Sequence, residues 1–434
     1  MKYFQPEAET MSAADKRALQ SEKLVKTVKY VYERQKPYRE KMDAIKLRPS
    51  DIKGIEDIWK LPYTMKSDLR ANYPFGMMAA DRKDLVRLHA SSATTGKLTV
   101  SGHTMHDIEV WADCAARSLV MAGADENSIV HVCYGYGLFT GGLGMHYGAE
   151  RLGAIAVPAS AGNTQRQLQL LTDFGADIIC CTPSYAIYLI EEMEKAGLKP
   201  GRDIKLKGGC FGAEAWTEEM RSEIERRLGI RACDVYGLSE IAGPGVANDC
   251  EYKTGMHFQD DHYYPEIIDT ETLEPLPTGE RGELVITTLD REGMPLLRYR
   301  TRDIAALDDS PCPCGRTTIR MKRVTGRSDD MLIIRGVNVF PSQIESVILK
   351  NPAVQPHYHI YVDRVNNLDT LEIAVELSPD AFSDKPADVE AIRAKLSAEM
   401  ASGISVTAKI TLVSPGTIER SEGKSKRITD RRKI

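Results

Sequence analysis

Short apolar runs alternate with amphipathic stretches over residues 85–235, and the runs end near Gly, Ser or Pro. The apolar runs lie at 85–89, 128–133, 154–158, 177–183, 205–211 and 231–235. Between them, helical periodicity predicts helices near 104–121, 142–152, 164–174, 184–196 and 217–228. Runs too apolar to be half exposed are typical of parallel strands that are covered on both faces. The pattern therefore predicts βαβ units with a buried parallel sheet.

The pattern changes after residue 266. Residues 282–288 alternate in polarity as an antiparallel strand does. Further on, the pattern predicts helices near 341–350 and 387–400 and strands near 357–362, 371–377 and 408–413. We therefore expect an α/β protein with two domains. The large N-terminal domain, 1–328, combines parallel βαβ sheets with a β-rich subdomain, and the small C-terminal domain, 329–434, is α+β.

The two ends of the chain are predicted to be less regular. The first ninety residues favour helices joined by loops, with an interruption at Pro37. The basic stretch 418–434 is expected to be loosely held.

Charge and cysteine usage restrict the class of protein. The 434 residues carry 57 basic and 62 acidic side chains, and this near balance argues against a dedicated nucleic-acid binder. No apolar run approaches the roughly 20 residues that span a bilayer, and no secretory signal is visible. Most of the nine cysteines lie in apolar stretches, which favours reduced thiols and a cytoplasmic location. The sequence leaves open whether the chain acts alone or as a homodimer.

Residues 91–97 combine hydroxyls, a glycine and a lysine in one loop after an apolar strand. Backbone N–H groups, hydroxyls and an ammonium are what a polyphosphate requires. The loop is not a Walker motif, because that motif needs Gly at the position of Ser91 and Ser or Thr at the position of Leu98. The alternative is a polar surface turn.

Two further motifs carry carboxylates. Residues 236–240 follow a predicted parallel strand, at the edge where open α/β sheets bind ligands, and Glu240 is a candidate magnesium ligand. Within 298–303, Asp303 lies among arginines and is a candidate for binding two ribose hydroxyls. The alternatives are an ordinary strand-to-helix turn and a surface cluster of ion pairs.

Taken in order, these motifs resemble those of the adenylate-forming superfamily, which includes acyl-CoA synthetases, adenylation domains and luciferases. They are most similar to the phenylacetate–coenzyme A ligase family. The segments that carry the resemblance are 73–76, 236–240, 264–269, 298–303 and 335–341, and the resemblance extends from about residue 57 to residue 433.

The resemblance implies a role for each matching residue. The residues implied to grip the ATP phosphates are Ser91, Ser92, Thr94, Thr95, Gly96 and Lys97. Those implied to line the rest of the nucleotide are Gly212, Ala213, Glu214, Asp234, Tyr236, Gly237 and Ser239, with Asp303 and Arg327 on the ribose and Glu240 on magnesium. Lys424 matches the lysine that bridges the acid and the α-phosphate, and Asp329 matches the hinge. Arg335, Gly336, Val337 and Asn338 belong to the segment that serves the thioester step.

The carboxylic acid is expected to lie near two aromatic rings and several glycines. The predicted lining is Tyr136, Phe139, Gly141, Gly142, Ala213, Gly237, Ile241, Ala242 and Pro244. Rings beside glycines leave room for a flat ligand. The alternative is that the rings are core residues.

A separate cluster predicts a metal site. Cys312 and Cys314 form a tight thiol pair, and Cys250 precedes His257 by seven positions. Three thiolates and an imidazole complete a tetrahedral zinc site. His262 competes with His257 for the fourth position, and the alternative to zinc is two exposed, reduced thiols.

These observations favour an acid–CoA ligase that uses ATP, Mg²⁺ and coenzyme A, with structural Zn²⁺, and that acts on an aryl-acetic acid in phenylacetate catabolism. Its partners are then small molecules, not nucleic acid or membrane. Two alternatives stay open: an adenylating enzyme that loads the acid onto a carrier-protein thiol, and a non-catalytic acid- or nucleotide-binding protein. A Rossmann oxidoreductase is excluded because no Gly-x-Gly-x-x-Gly opens a helix.

Overall fold

The fold is described from a computed structural model of the chain. It describes residues 2–91, 98–328, 332–334, 337–365, 368–382, 386–404, 406–420 and 427–432. Within these residues, no helix combines the length and the apolar character needed to cross a bilayer.

Eleven helices are found in the described part of the chain. They are α1 (Pro6–Glu9), α2 (Ala13–Arg34), α3 (Lys36–Ala44), α4 (Lys66–Ala71), α5 (Met105–Met121), α6 (Gly141–Leu152), α7 (Thr164–Phe174), α8 (Pro183–Lys195), α9 (Glu218–Leu228), α10 (Pro341–Leu349) and α11 (Pro386–Ile404). The five helices predicted between residues 104 and 228 all form, with ends that differ by one residue at most.

The strands of the large domain are β1 (Arg87–Ser91), β2 (Thr99–His103), β3 (Ile129–Val132), β4 (Ile155–Val157), β5 (Ile178–Cys181), β6 (Gly208–Gly212), β7 (Arg231–Leu238), β8 (Gly243–Asp249), β9 (Met256–Phe258), β10 (Tyr263–Ile268), β11 (Arg281–Thr288), β12 (Tyr299–Asp308), β13 (Arg320–Met321) and β14 (Gly326–Arg327). Strands β1 and β2 form a separate hairpin, and the others form one sheet in the order β10-β11-β12-β13-β9-β8-β7-β6-β5-β3-β4, with β14 beside β12.

The sheet is parallel at one end and antiparallel at the other. Strands β7, β6, β5, β3 and β4 pair in parallel, whereas β8 returns antiparallel to β7. Strand β5 shows why the parallel part is so apolar. Ile178 and Cys180 pack with α5 and α6 on one face, and Ile179 and Cys181 pack with α7, α8 and α9 on the other. Both predictions, buried βαβ units and a β-rich subdomain, are therefore confirmed.

The small domain has its own sheet and core. Its strands are β15 (Leu332–Ile334), β16 (Val337–Val339), β17 (Val354–Val365), β18 (Leu368–Leu377), β19 (Lys409–Val413) and β20 (Ile428–Asp430). Four of them pair in the order β19-β18-β17-β20, and α10 and α11 bury their apolar sides against this sheet. This is the α+β unit that the sequence predicts.

The end of the chain differs from the expectation of a loose tail. Strand β20 pairs in parallel with β17, and the amide of Ile360 donates to the carbonyl of Arg427 at 2.8 Å. Arg432 adds an ion pair with Asp369 at 3.1 Å. Residues 427–432 are therefore held by the small domain because they complete the edge of its sheet.

Candidate functional site

The candidate site lies where the sheet changes from parallel to antiparallel. Strands β6 and β7 end side by side, and the turn after β7 carries Ser239 and Glu240 before β8 begins. The turn is tight: a Cβ atom on Gly237 would lie 1.6 Å from the carbonyl oxygen of Gly243. A glycine is therefore required at this position, because no other residue lets the two backbones approach so closely.

The carboxylate of Glu240 is buried and has two partners from distant segments. Its Oε1 accepts a hydrogen bond from the Ser91 hydroxyl at 3.1 Å and lies 3.0 Å from the Lys66 ammonium. Ser91 ends β1, just before the predicted phosphate loop, and Lys66 is the first residue of α4. Sequence reasoning missed Lys66, because no local pattern marks a lysine whose partner lies far along the chain.

Asp303 connects two further predicted residues. Its Oδ2 accepts a hydrogen bond from the Tyr236 hydroxyl at 2.5 Å, and its Oδ1 accepts one from Arg327 at 3.2 Å. Burial and then the Asp303 carboxylate raise the pKa of Tyr236 well above its ordinary value. The structure thus brings Tyr236, Asp303 and Arg327 together.

The alternative of a surface cluster at residues 298–303 is wrong. Arg298 and Arg300 are buried, and each makes a double hydrogen bond, to Glu266 and Glu283 respectively. Paired buried charges of this kind fix the strand that carries Asp303.

Three other predicted nucleotide residues surround the end of β6. Ala213 adopts a left-handed backbone with φ of 69°, and the Glu214 carboxylate accepts a hydrogen bond from the Ser184 amide at 2.7 Å. Burial and the charge of Asp249 raise the pKa of Asp234 to about 6. Asp234 is therefore buried beside a second carboxylate, with Arg323 at 3.7 Å.

Arg291 stabilises the turn that carries Glu240. Sequence analysis did not predict a role for Arg291. Its guanidinium is buried and donates hydrogen bonds to the carbonyl oxygens of Glu240 and Ile241 and, at 2.6 Å, to the Ser101 hydroxyl. Burial lowers the pKa of Arg291. The contacts connect the β1–β2 hairpin to the Glu240 turn.

The glycines in and beside the predicted acid pocket lie in two different environments. Gly141 and Gly142 are closely packed, because a Cβ atom on Gly142 would lie 2.7 Å from the Gly135 carbonyl oxygen and one on Gly141 would lie 2.4 Å from the Phe139 ring. Their assignment to the acid pocket stays a prediction. Gly135 and Gly137 instead face open space, with no atom within 4 Å of an added Cβ.

The two aromatic rings of the predicted pocket are in different environments. Phe139 is 43% exposed, so the alternative that it is a core residue is wrong. Tyr136 is half-buried, and its hydroxyl lies 3.3 Å from His146 Nδ1. Across the site, Ile241 and Ala242 are buried, and Trp111 donates to the carbonyl oxygen of Pro244 at 2.8 Å.

The four residues of the predicted metal cluster converge. One ligand atom from each of Cys250, His257, Cys312 and Cys314 lies within 4.8 Å of the others, and all four residues are buried. A hydrogen bond from the Cys250 thiol lowers the pKa of Cys314, and the His257 ring lies 3.4 Å from the same sulfur. The alternative of exposed thiols is therefore wrong.

The structure also decides between the two histidines. His257 Nδ1 lies 2.9 Å from the Thr318 hydroxyl, which leaves Nε2 directed at the sulfur atoms. His262 instead contacts Asp290 at 2.9 Å and Asp261 at 3.2 Å.

Several predicted residues lie outside the described part of the chain. They are Ser92, Thr94, Thr95, Gly96 and Lys97 of the phosphate loop, the hinge residue Asp329, the segment residues Arg335 and Gly336, and Lys424. Their roles stay predictions. Val337 is described and lies half-buried in β16.

Comparisons with known proteins show which family the chain resembles. The family model for AMP-binding enzymes matches residues 8–289, and the model for the C-terminal domain of AMP-binding enzymes matches 336–432. The chain is 50% identical over 427 residues to a phenylacetate-coenzyme A ligase of Aromatoleum evansii, covering 98% of this chain and 96% of that protein.

A solved relative provides two conformations for comparison. A 2-hydroxyisobutyryl-CoA ligase in its postadenylation state, in complex with 2-HIB-AMP, is 30% identical and superposes with a TM-score of 0.92, covering 100% of this chain and 93% of that chain. The same ligase in its thioesterification state is also 30% identical but has a TM-score of 0.74, covering 99% and 92%. The arrangement of the two domains described here is therefore closer to the postadenylation arrangement.

We predict that Lys66→Met raises the KM for MgATP about tenfold, because a hydrogen bond from a charged group contributes about 1.5 kcal/mol. Steady-state kinetics with ATP as the varied substrate measures the change. Lys60→Met is the matched control, since Lys60 pairs with Asp57 at 2.7 Å outside the site. An unchanged KM in Lys66→Met would show that the ammonium does not meet the nucleotide.

Proposed function

This chain belongs to the family of AMP-binding enzymes, and we propose that it joins an aryl-acetic acid such as phenylacetate to coenzyme A, with ATP converted to AMP and pyrophosphate. The observation that carries the proposal is the convergence of Tyr236, Asp303, Arg327 and Glu240 at one edge of the sheet. It is supported by 50% identity to a phenylacetate-coenzyme A ligase over nearly the whole chain.

The reaction proceeds in two steps. A carboxylate oxygen of the acid attacks the α-phosphorus of ATP, the bond to the β-phosphate oxygen breaks, and pyrophosphate leaves. The coenzyme A thiolate then attacks the carbonyl carbon of the acyl adenylate, and AMP leaves with the bonding electrons. Negative charge builds on the phosphate oxygens in the first step, so catalysis depends on positioned cations and N–H groups.

The contacts of Asp303 and Lys66 support nucleotide binding. The buried Asp303 carboxylate suits two adjacent ribose hydroxyls, while Arg327 orients it. Lys66 lies beside Glu240. In this proposal its ammonium meets the phosphate oxygens of the ATP that the 91–97 loop binds.

The residues around Glu240 fit a magnesium ion. Mg²⁺ prefers carboxylate, hydroxyl and phosphate oxygens, and Glu240 and Ser91 place a carboxylate and a hydroxyl within 3.1 Å of each other. The ion, when bound with ATP, neutralises charge on the phosphates. Glu240 would hold it, and Arg291 fixes the turn on which Glu240 lies.

The acid lies, in this proposal, beside Tyr136 and the exposed Phe139. The open space is supplied by Gly135 and Gly137, which have no neighbouring atom where a side chain would begin. A flat ring fits between an aromatic side chain and a backbone that lacks Cβ atoms.

The small domain supplies the catalytic lysine. Arg427, three residues after Lys424, pairs with Glu345 and Tyr358, and although burial opposes its charge, these groups and Glu214 raise its pKa. Glu214 follows the end of β6, so Arg427 lies near a carboxylate on the nucleotide side of the site. In this proposal Lys424 bridges the acid and the α-phosphate in one domain orientation, as the resemblance implies, and the segment 335–338 replaces it in the other after rotation at Asp329.

We expect phenylacetate to be a better substrate than acetate or a long fatty acid, because an aryl ring fits the aromatic and glycine lining. ATP-dependent pyrophosphate release and acyl-CoA formation across a panel of acids measure this preference. A clear preference for a medium or long alkyl acid would contradict the assignment of the acid.

Replacing coenzyme A by a phosphopantetheinylated carrier protein tests the acceptor, and faster transfer to the carrier would overturn the choice of coenzyme A.

Lys424→Ala should slow acyl-adenylate formation by several orders of magnitude, because an interaction made chiefly in the transition state is lost. It should leave conversion of supplied acyl adenylate and coenzyme A near normal. Asp329→Pro should do the reverse, since a fixed φ at the hinge resists rotation. Single-turnover assays of each step measure both, with circular dichroism as the folding control. Equal loss of both steps in two folded variants would show that the two-orientation mechanism does not apply.

We also propose that Cys250, His257, Cys312 and Cys314 bind one structural zinc ion. Three thiols and an imidazole are a preferred zinc donor set, and the hydrogen bond of His257 to Thr318 fixes its ring. Four protein ligands leave no open position, so the ion would stabilise the fold. The cluster adjoins the N-terminal segment, since the Tyr3 hydroxyl donates to the carbonyl oxygen of Cys314 at 2.8 Å.

Protein purified without added metal should contain about one zinc per chain by elemental analysis. Cys312→Ser should lower the zinc content and the midpoint of thermal unfolding, with little change in the KM for ATP. Cys133→Ser is the matched control, because that thiol is equally buried but contacts Gln167 and not the cluster. Metal-free protein of unchanged stability would contradict the site.

A further inference from the structure

A carboxylate of the large domain contacts two side chains of the small domain. Glu191 lies on α8, and its Oε1 is 2.7 Å from His357 Nε2 on β17, which is 166 residues away in the chain. Its Oε2 is 3.7 Å from Arg420 Nε. We call Glu191, His357 and Arg420 the interdomain triad.

The triad is shielded from solvent. The side chains of Glu191, His357 and Arg420 are 15%, 12% and 18% exposed. Although burial opposes ionisation, the hydrogen bond from His357 and the charge of Arg420 lower the pKa of Glu191. A shielded, charge-assisted contact of this kind is stronger than an exposed ion pair.

The side chain of Arg420 is held in place by its own domain. It makes a double hydrogen bond with the fully buried Glu376, at 2.8 and 2.9 Å. Glu376 also accepts hydrogen bonds from the amides of Gly416 and Ile418. The guanidinium is therefore part of the rigid small domain, and its contact with Glu191 reports the position of the whole domain.

Two neighbouring contacts of the described residues are either apolar or exposed. Leu349 packs against the core formed by α7, α8 and α9. The pair between Lys350 and Glu219 has a distance of 3.8 Å, and its lysine is 66% exposed, so it contributes little. Compared with these two contacts the triad is polar and shielded, and the charge of Glu214 near Arg427 acts elsewhere in the same interface.

We propose that Glu191 is a positioning residue that holds the small domain in the orientation for adenylate formation. The proposal rests on the proposed function, since it assigns the contact to the first of the two steps. The domain arrangement that contains the triad superposes on the postadenylation state of the solved relative with a TM-score of 0.92, against 0.74 for its thioesterification state. Rotation of the small domain would carry His357 and Arg420 away from α8, so the triad must break once in each turnover.

Glu191→Gln keeps the shape of the side chain and removes its charge. It should slow acyl-adenylate formation about tenfold in a single turnover and leave the conversion of supplied acyl adenylate and coenzyme A unchanged or faster. Glu192→Gln is the matched control on the same helix, because Glu192 pairs with Lys195 within that helix at 2.6 Å. Equal loss of both steps in Glu191→Gln, or no loss in either, would overturn the proposal.

A second measurement does not depend on activity. Spin labels at Glu126→Cys and Lys395→Cys, both exposed positions, report the distance between the two domains, and the nine native cysteines are buried. Glu191→Gln and His357→Gln should each add a second distance population, and the double variant should add no more than Glu191→Gln alone, since that substitution already weakens the contact with His357. An unchanged distance distribution would overturn the role of Glu191.

The two measurements separate failure of this proposal from failure of the proposed function. If the wild-type protein forms no acyl adenylate but Glu191→Gln shifts the distance distribution, the assigned reaction is wrong and the positioning contact is supported. If the wild-type protein completes both steps and neither Glu191→Gln readout changes, the reaction is supported and the positioning role is overturned.

Discussion

The buried guanidinium of Arg291 is the contact on which the geometry of the site depends. Its hydrogen bonds to the carbonyl oxygens of Glu240 and Ile241 and to the Ser101 hydroxyl join the β1–β2 hairpin to the turn after β7. The Asp107 carboxylate accepts hydrogen bonds from the amides of Glu292 and Gly293, at 2.8 Å each. These bonds hold the segment that carries Arg291 in place. Each buried carbonyl left without a donor would cost about 1–3 kcal/mol, so hairpin, turn and arginine form one unit.

That unit places charged groups at the edge of an apolar sheet. The parallel strands are buried on both faces, and polar side chains collect at the carboxyl ends of β6 and β7, where the sheet changes direction. Gly237 closely approaches the Gly243 carbonyl, which makes the turn compact. Glu240 can then contact Ser91 at the end of β1. Lys66 and Ser91 can then share one carboxylate oxygen although they come from separate segments.

The sequence predicted what local pattern determines and missed what depends on distant partners. Helices such as α7 were predicted to the residue, because burial on one side produces a 3.6-residue period. Lys66 and Arg291 carry no local signal, since their roles come from contacts with a turn that other segments build. His257 and His262 could not be separated by spacing; the pairing of β9 with β13 places His257 on the cysteine side. The sequence could not distinguish the packed Gly141 and Gly142 from the open Gly135 and Gly137, because a glycine admits either a ligand or a neighbouring backbone. Strand β20 was missed because three residues form a strand only where an edge such as β17 is available.

The contact of Glu191 with His357 and Arg420 is neither fully buried nor exposed, and its strength explains why. An exposed ion pair contributes about 0–1 kcal/mol, which is too little to favour one domain orientation strongly. Breaking a fully buried pair costs about 3–5 kcal/mol, which would trap the small domain after the first step. Side chains that are 12–18% exposed fall between these limits. Such a contact shifts the population of one orientation by about 5- to 150-fold, the range of an ordinary coupling free energy, and remains reversible in each turnover. Glu376 stays fully buried because it holds Arg420 within one rigid domain and never has to release it.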